Sequence, residues 1–231
     1  YYLTVKEKYA QKTAELFRVL FLDTATYMNP NLNHSQVRHG HNLGSKSGVL
    51  DGRILIKAFE GSRLIAGSSA FSEDESIKLM NWAKDYLKWL TTSELALKEA
   101  KSENNHGSYY DVQVMYLSLF TDNSKLAKQT ANSFRQRRIE KQIKADGRMP
   151  EELARTKPIF YSIYNLHALF LVAHLAEKVE VDLWSNEVQY PRLQAALDFI
   201  APYTDSDKEW EQPTVGKLDR INIYPLLQMG E

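Results

Sequence analysis

The 231-residue sequence predicts an all-α fold in which inner helices alternate with outer ones. Apolar residues recur at three- and four-residue spacing along most of the chain. No run shows the two-residue alternation of a half-buried strand. Segments apolar nearly all round alternate with segments that keep one charged face, and the first kind belongs inside a helical layer, the second outside.

Residues 4–22 form the first helix. Tyr9, Thr13, Leu16, Phe17, Leu20 and Phe21 make one stripe, opposite Lys6, Glu7, Lys12 and Arg18. Residues 23–50 carry Asn29-Pro30, Asn31, Asn33, Gly40, Gly44, Gly48 and three of the six histidines. An irregular connection of this length inside a compact fold usually serves function, so it is expected to touch substrate. His34, His39 and His41 have no interleaved carboxylate before Asp51, which weakens a metal site against a loop of solvated histidines. Residues 51–66 form the second helix, with Ile54, Leu55, Ala58 and Phe59 on one face. The third opens at a capping box, Ser72-x-x-Glu75, and repeats Leu79, Trp82, Ala83, Tyr86, Leu87 and Leu90.

Ser108 and Asp111 precede an apolar run and predict the start of a buried helix, with Asn105 and His106 on the loop that feeds it. A helix N-terminus offers unpaired N–H groups and partial positive charge, which suit a carboxylate or phosphate. A simple turn with a local histidine cap is the alternative. Residues 124–143 form a charged helix whose run Arg135-Gln136-Arg137-Arg138 is expected to be a solvated face. Asp146-Gly147-Arg148-Met149-Pro150 is a turn. Residues 157–178 are again mostly apolar, with Thr156 as cap and Pro158 in the first turn. Leu193, Ala196, Leu197 and Ile200 mark another helix, and residues 217–227 a last one.

The helices starting near Asp51, Ser108 and Lys157 are the expected inner ones, each separated from the next by an outer helix, so they run parallel and their N-termini share one mouth. The polar segments 31–48, 104–107 and 146–156 precede them. This order brings Asn33, His41, Asn105, His106 and Arg155 to one surface.

Composition narrows the chemistry. With 29 basic and 29 acidic residues the formal charge is zero, so no broad field favours nucleic acid or an anionic membrane. The absence of cysteine excludes disulfides, thiolate nucleophiles and Cys-ligated zinc. No signal peptide and no membrane-length apolar run are expected.

The run from Asn104 to Gln113, Asn-Asn-His-Gly-Ser-Tyr-Tyr-Asp-Val-Gln, is followed by Glu152-Leu153-Ala154-Arg155-Thr156 and Tyr161-Ser162. Together they resemble the alginate lyase superfamily of polysaccharide lyases. The segment from Met28 to Gln36 and the sequence Val181-Asp182-Leu183-Trp184 resemble further landmarks of it, so the likeness covers most of the chain. It implies an α/α toroid of inner and outer helices with a deep cleft, as a single domain over residues 1–231 lacking the N-terminal helices and lid of the family. It also implies β-elimination of alginate or a related acidic polysaccharide without metal or cofactor, in the periplasm or outside the cell, with neither nucleic acid nor membrane as partner. Asn105, His106 and Arg155 would handle the carboxylate and the C5 proton, and Tyr161 would be the catalytic phenol. Asn33, Gln36, His41, Tyr110 and Arg148 are the candidate substrate contacts, with plain packing or solvation as the alternative for Tyr110 and Arg148. In the better-known periplasmic members the arginine-to-tyrosine spacing is one residue longer, which falls on Ser162 here. The chain thus fits a related, Bacteroidetes-like subfamily, with Tyr164 as reserve phenol.

These residue types suit the chemistry. Removing the C5 proton of a uronate builds negative charge beside an existing carboxylate, which calls for cationic and amide donors. A tyrosine base needs nearby positive charge, and Arg155 precedes Tyr161 by six positions. In mannuronate the proton and the leaving oxygen lie on one side of the ring, so one phenol can serve both. In guluronate they lie on opposite sides, and His106 is the motif residue able to act as a second base. His167 and His174 are expected to be structural. A glucuronan lyase of the same fold is the nearest alternative. A glycosidase needs two opposed carboxylates, whereas Asp111, Glu151 and Glu152 look like helix-start residues. A helical interaction or glycan-binding module should show a fixed repeat, and none is seen.

Overall fold

The computed structural model describes residues 1–185, 191–205, 207–210 and 213–230. Among them every regular element is helical. The chain divides into two compact units, Tyr1–Lys98 with Tyr116–Asn123, and Glu99–Met115 with Ser124–Glu231.

In the first unit, α1 (Glu7–Phe17) continues into a π-helical turn, Arg18–Leu22. The stripe that periodicity predicts splits in two. Ala10, Ala14, Phe17 and Phe21 are buried, while Tyr9, Leu16, Val19 and Leu20 are exposed. The small alanines allow close approach, and the two phenylalanines enter an aromatic core. Phe17 meets Phe71 with ring centroids 5.5 Å apart, and Phe21 meets Trp82 at 4.9 Å. Phe59 of α2 (Arg53–Leu64) adds contacts to Trp82 and Phe120. Phe59 is the one buried side chain of α2, and Ile54 and Leu64 are exposed. Within this chain α2 therefore does not have the all-round burial expected of an inner helix.

The capping box of α3 (Glu73–Thr92) is formed as expected: the Glu75 N–H donates to Ser72 Oγ, and the Ser72 N–H donates to Glu75 Oε2 at 2.8 Å. Leu79, Trp82, Ala83, Tyr86, Leu87 and Leu90 form its buried face. Arg18 Nε also donates to Glu75 Oε1 at 2.5 Å. That bond, with the cap, holds the Glu75 carboxyl down at about 2. The folded value lies below the ordinary glutamate value, so the stabilisation is complete above that ordinary value and disappears as pH falls through it toward 2. Glu75→Gln is expected to flatten the acid loss of stability in this window and to cost about 1 kcal/mol at neutral pH, the usual scale for a helix cap. Urea unfolding at pH 7 and at pH 3 checks both.

The connection before α2 is held at several points. Trp82 Nε1 donates to the Met28 carbonyl at 2.7 Å, Trp89 Nε1 to Asn33 Oδ1 at 2.8 Å, and a 3₁₀ turn closes Lys46–Gly52. A Cβ on Gly44 would lie 1.9 Å from the Asn33 carbonyl oxygen, so glycine is required by close backbone approach.

The short helix α4 (Glu94–Ala100), which no stripe predicts, leads toward the second unit. Helix α5 (Asn105–Phe120) begins three residues earlier than Ser108, because Asn104 is its cap: Asn104 Oδ1 accepts from the His106 N–H at 3.2 Å, and its carbonyl accepts from Gly107. The helix is buried nearly all round, as expected. Helix α6 (Ser124–Phe134) runs through a π-helical stretch, Arg135–Ile139, into α7 (Glu140–Gln142). The solvated-face expectation fails here. Arg138 is buried and donates through Nε to Asp111 Oδ2 at 2.6 Å, and its other nitrogens reach the Ala100 and Ser102 carbonyls.

The one-turn α8 (Pro150–Leu153) precedes α9 (Pro158–Glu177), the core helix of this unit. Contrary to the expectation of no membrane-length run, α9 is long and apolar enough to cross a membrane, but 61% of its most apolar window is buried inside the protein. That burial accounts for its composition, since a core helix meets apolar neighbours on every side. Helices α10 (Arg192–Ile200) and α11 (Tyr224–Met229) follow, the last beginning later than residue 217.

Candidate active site

The site starts at the tight passage from α4 into α5. A Cβ on Gly107 would lie 2.0 Å from the Ser102 carbonyl oxygen and 2.3 Å from a guanidinium nitrogen of Arg138. The first turn of α5 therefore lies directly on the Arg138 anchor, and the two residues before Gly107 are fixed by it.

Asn105 is buried and held by Glu152 of α8. Its N–H donates to Glu152 Oε1 at 2.6 Å, and its Nδ2 lies 3.0 and 2.9 Å from the two carboxylate oxygens. Two oxygens of one carboxylate subtend a much smaller angle at Nδ2 than the angle between its two N–H bonds. One N–H is thus shared by the carboxylate and the second points elsewhere. Glu152 is itself fully buried, and that burial raises its carboxyl above the ordinary value; Asn105, Arg155 and His106 offset this in part. Folding therefore favours its neutral form.

His106 follows Asn105 and is partly exposed, with Nδ1 2.5 Å from Oε1 of Glu99, whose side chain is fully buried. Arg155 lies one turn after Glu152, its N–H donating to the Glu152 carbonyl at 3.1 Å. Its guanidinium stands 3.9 Å from the centre of the Tyr161 ring, at the start of α9. The loop does fold back as the six-residue spacing requires. Glu152 thus joins the two motifs, bonding Asn105 directly and lying within electrostatic reach of His106 and Arg155.

Beside Tyr161, Tyr164 is packed at 4.5 Å against Tyr109 and stacks on exposed Phe160. Tyr109 Oη lies 3.3 Å from His167 Nδ1. His174 Nε2 meets the Met229 carbonyl at 3.0 Å. Tyr110 is buried, and burial beside Asp111 pushes its hydroxyl up to about 12. Arg148 is exposed, 3.5 Å from Asp146 and over the Phe199 ring. In the first unit, Asn33 is held by Trp89, and Gln36 Nε2 donates to Asp51 Oδ2 at 3.1 Å with φ of 52°. His41 is exposed there. Among the described residues no three of His, Asp and Glu gather as a metal site requires.

Two carboxylates go beyond the residues that the motifs nominate. Glu152 is part of a motif but looks like a helix-start residue. Glu99 lies outside both motifs, and Lys98-Glu99 reads as a charged helix face. A carboxylate three residues before Arg155 was a usable signal for the first; nothing comparable marks the second.

A family model described as alginate lyase matches residues 1–210. Among solved structures, an alginate lyase from Bacteroides ovatus matches with a TM-score of 0.93 and 32% sequence identity. The match covers 99% of this chain and 62% of that one, so this chain spans less than two thirds of its length. The all-helical architecture and this likeness bear out the α/α-toroid class. A search of curated proteins finds no match.

Proposed function

Because this chain belongs to the alginate lyase family, we propose that it is a polysaccharide lyase that cleaves alginate or a related polyuronate by β-elimination, acting in the periplasm or outside the cell. The observation that carries this reading is the Arg155 guanidinium stacked 3.9 Å from the Tyr161 ring, in the unit that also ties Asn105 to Glu152. That contact brings the cationic donor proposed for the uronate carboxylate and the proposed proton carrier together at one place.

In this reading Tyr161 Oη takes the proton from C5 of the uronate. The electron pair left on C5 forms the C4–C5 double bond, and the C4–O bond breaks. Where proton and leaving oxygen share one side of the ring, the proton on Tyr161 Oη then passes to the departing oxygen. Where they lie opposite, His106 takes the C5 proton and Tyr161, as phenol, protonates the leaving oxygen. Arg155, with the N–H of Asn105 that points away from Glu152, meets the carboxylate as its charge grows. Asn33, Gln36, His41, Tyr110 and Arg148 are the proposed further contacts of the polymer, and the reaction as drawn needs neither metal nor cofactor.

The test is ultraviolet absorbance of the unsaturated uronate formed on mannuronate blocks, guluronate blocks and glucuronan. A rise on either alginate block supports the proposal. A rise on glucuronan alone identifies the related lyase, and none on any of them points to a binding module. Arg155→Lys is expected to lower kcat/KM by about 10²- to 10³-fold, because a lysine cannot grip a carboxylate at two points. Unchanged kcat/KM would make Arg155 structural.

A further inference from the structure

Glu99 is in an unfavourable place for a carboxylate. It is fully buried, and it lies in the last turn of α4, where the helix dipole disfavours negative charge. Burying an ionised group there carries a cost that surface solvation would avoid. Its contacts show what it does in return. Oε1 lies 2.5 Å from His106 Nδ1, and Oε2 accepts from Ser102 Oγ at 3.2 Å. The Ser102 N–H donates to the Glu99 carbonyl at 2.9 Å, so carboxylate and loop are locked together. The Ser102 carbonyl in turn accepts from Arg138. The Glu99 carboxylate is thus a fixed acceptor aimed at one nitrogen of one ring.

We propose that Glu99 is a positioning residue that holds His106 as the Nδ1–H tautomer and leaves Nε2, with its lone pair, as the ring atom that meets the polymer. The role of that atom rests on the lyase reading above; the tautomer does not. A neutral imidazole in water prefers the proton on Nε2, and a hydrogen bond at the other nitrogen reverses this. With Nε2 bare, the neutral ring accepts a proton and cannot donate to a uronate carboxylate. His106 is then suited to removing a proton from the face opposite Tyr161, and the carboxylate is left to Arg155 and Asn105.

The decisive measurement is the ¹⁵N spectrum of the His106 side chain in the full chain, assigned with His106→Gln and recorded where the ring is neutral. Wild type is expected to show a protonated Nδ1 and an unprotonated Nε2. Glu99→Gln, whose Oε1 can still accept from Nδ1, should keep that pattern. Glu99→Leu should move the proton to Nε2. On guluronate blocks, where His106 takes the C5 proton, Glu99→Leu should lose about 10²- to 10⁴-fold in kcat, the range of a positioned proton-transfer group, and on mannuronate blocks far less. KM should change little, and Glu99→Gln should recover much of the loss. A wild-type ring protonated at Nε2, or a pattern unchanged in folded Glu99→Leu, overturns the proposal. So do equal losses of activity in the Gln and Leu variants. If no polyuronate is cleaved, the lyase reading fails while the spectrum still decides the role of Glu99.

Discussion

Tyr161→Phe is expected to lower turnover of the polyuronate by about 10²- to 10⁴-fold, the contribution of a side chain that transfers a proton in the transition state. The fold should barely notice. Tyr161 is only partly buried, and the contact with Arg155 is to its ring, which phenylalanine keeps. Loss of the hydroxyl therefore removes the proton carrier and leaves the packing intact, so kcat should fall while the thermal midpoint stays within a degree or two of wild type. Tyr164→Phe is the control. Its ring is held between Phe160 and Tyr109, and that stack also survives the change. If Tyr164→Phe loses the rate and Tyr161→Phe keeps it, the two phenols exchange roles and the stack on Arg155 is a packing contact.

Arg138→Ala should have the largest effect on stability. The guanidinium is almost wholly buried, pairs with Asp111, and donates to the Ala100 and Ser102 carbonyls. Removing one partner of a buried pair costs about 3–5 kcal/mol, because the remaining charge stays desolvated. Arg137 still reaches Asp111 Oδ1 at 2.8 Å, which places the expected loss at the lower end. Even that is a large share of the total stability of a typical domain. Urea unfolding measures it, and replacing Asp111 by leucine in the same chain should recover part of the loss by removing the stranded carboxylate. A loss below 1 kcal/mol in Arg138→Ala would show that the pair and its carbonyl bonds contribute little.

Sequence pattern reports some of these features and cannot report others. The Ser72–Glu75 box is legible because both partners lie within one turn, and α5 and α9 because their apolar residues leave no polar face. Asn105, His106, Arg155 and Tyr161 are legible as nominees through two motifs together. Their joining through Glu152 spans 47 positions, and no periodicity records that separation. Arg138 fails for the same reason: a run of arginines looks solvated unless its carboxylate, 27 positions away, is known to be buried. In α1 the apolar residues are numerous enough to offer two faces. The choice falls on Phe17 and Phe21 because Phe71 and Trp82 receive them, which is a property of other helices.

The crowding at Gly107 has an evolutionary consequence. Its missing side chain is required by the Ser102 carbonyl and by Arg138, neither of which transfers a proton or meets the carboxylate in the proposed chemistry. A gene copy that lost its activity but still had to fold would be free to vary at Tyr161 and Arg155, yet would remain under selection at Gly107 and Arg138. Glycine in this motif thus records descent from the fold, while the phenol and the stacked guanidinium record whether a descendant still works as an enzyme.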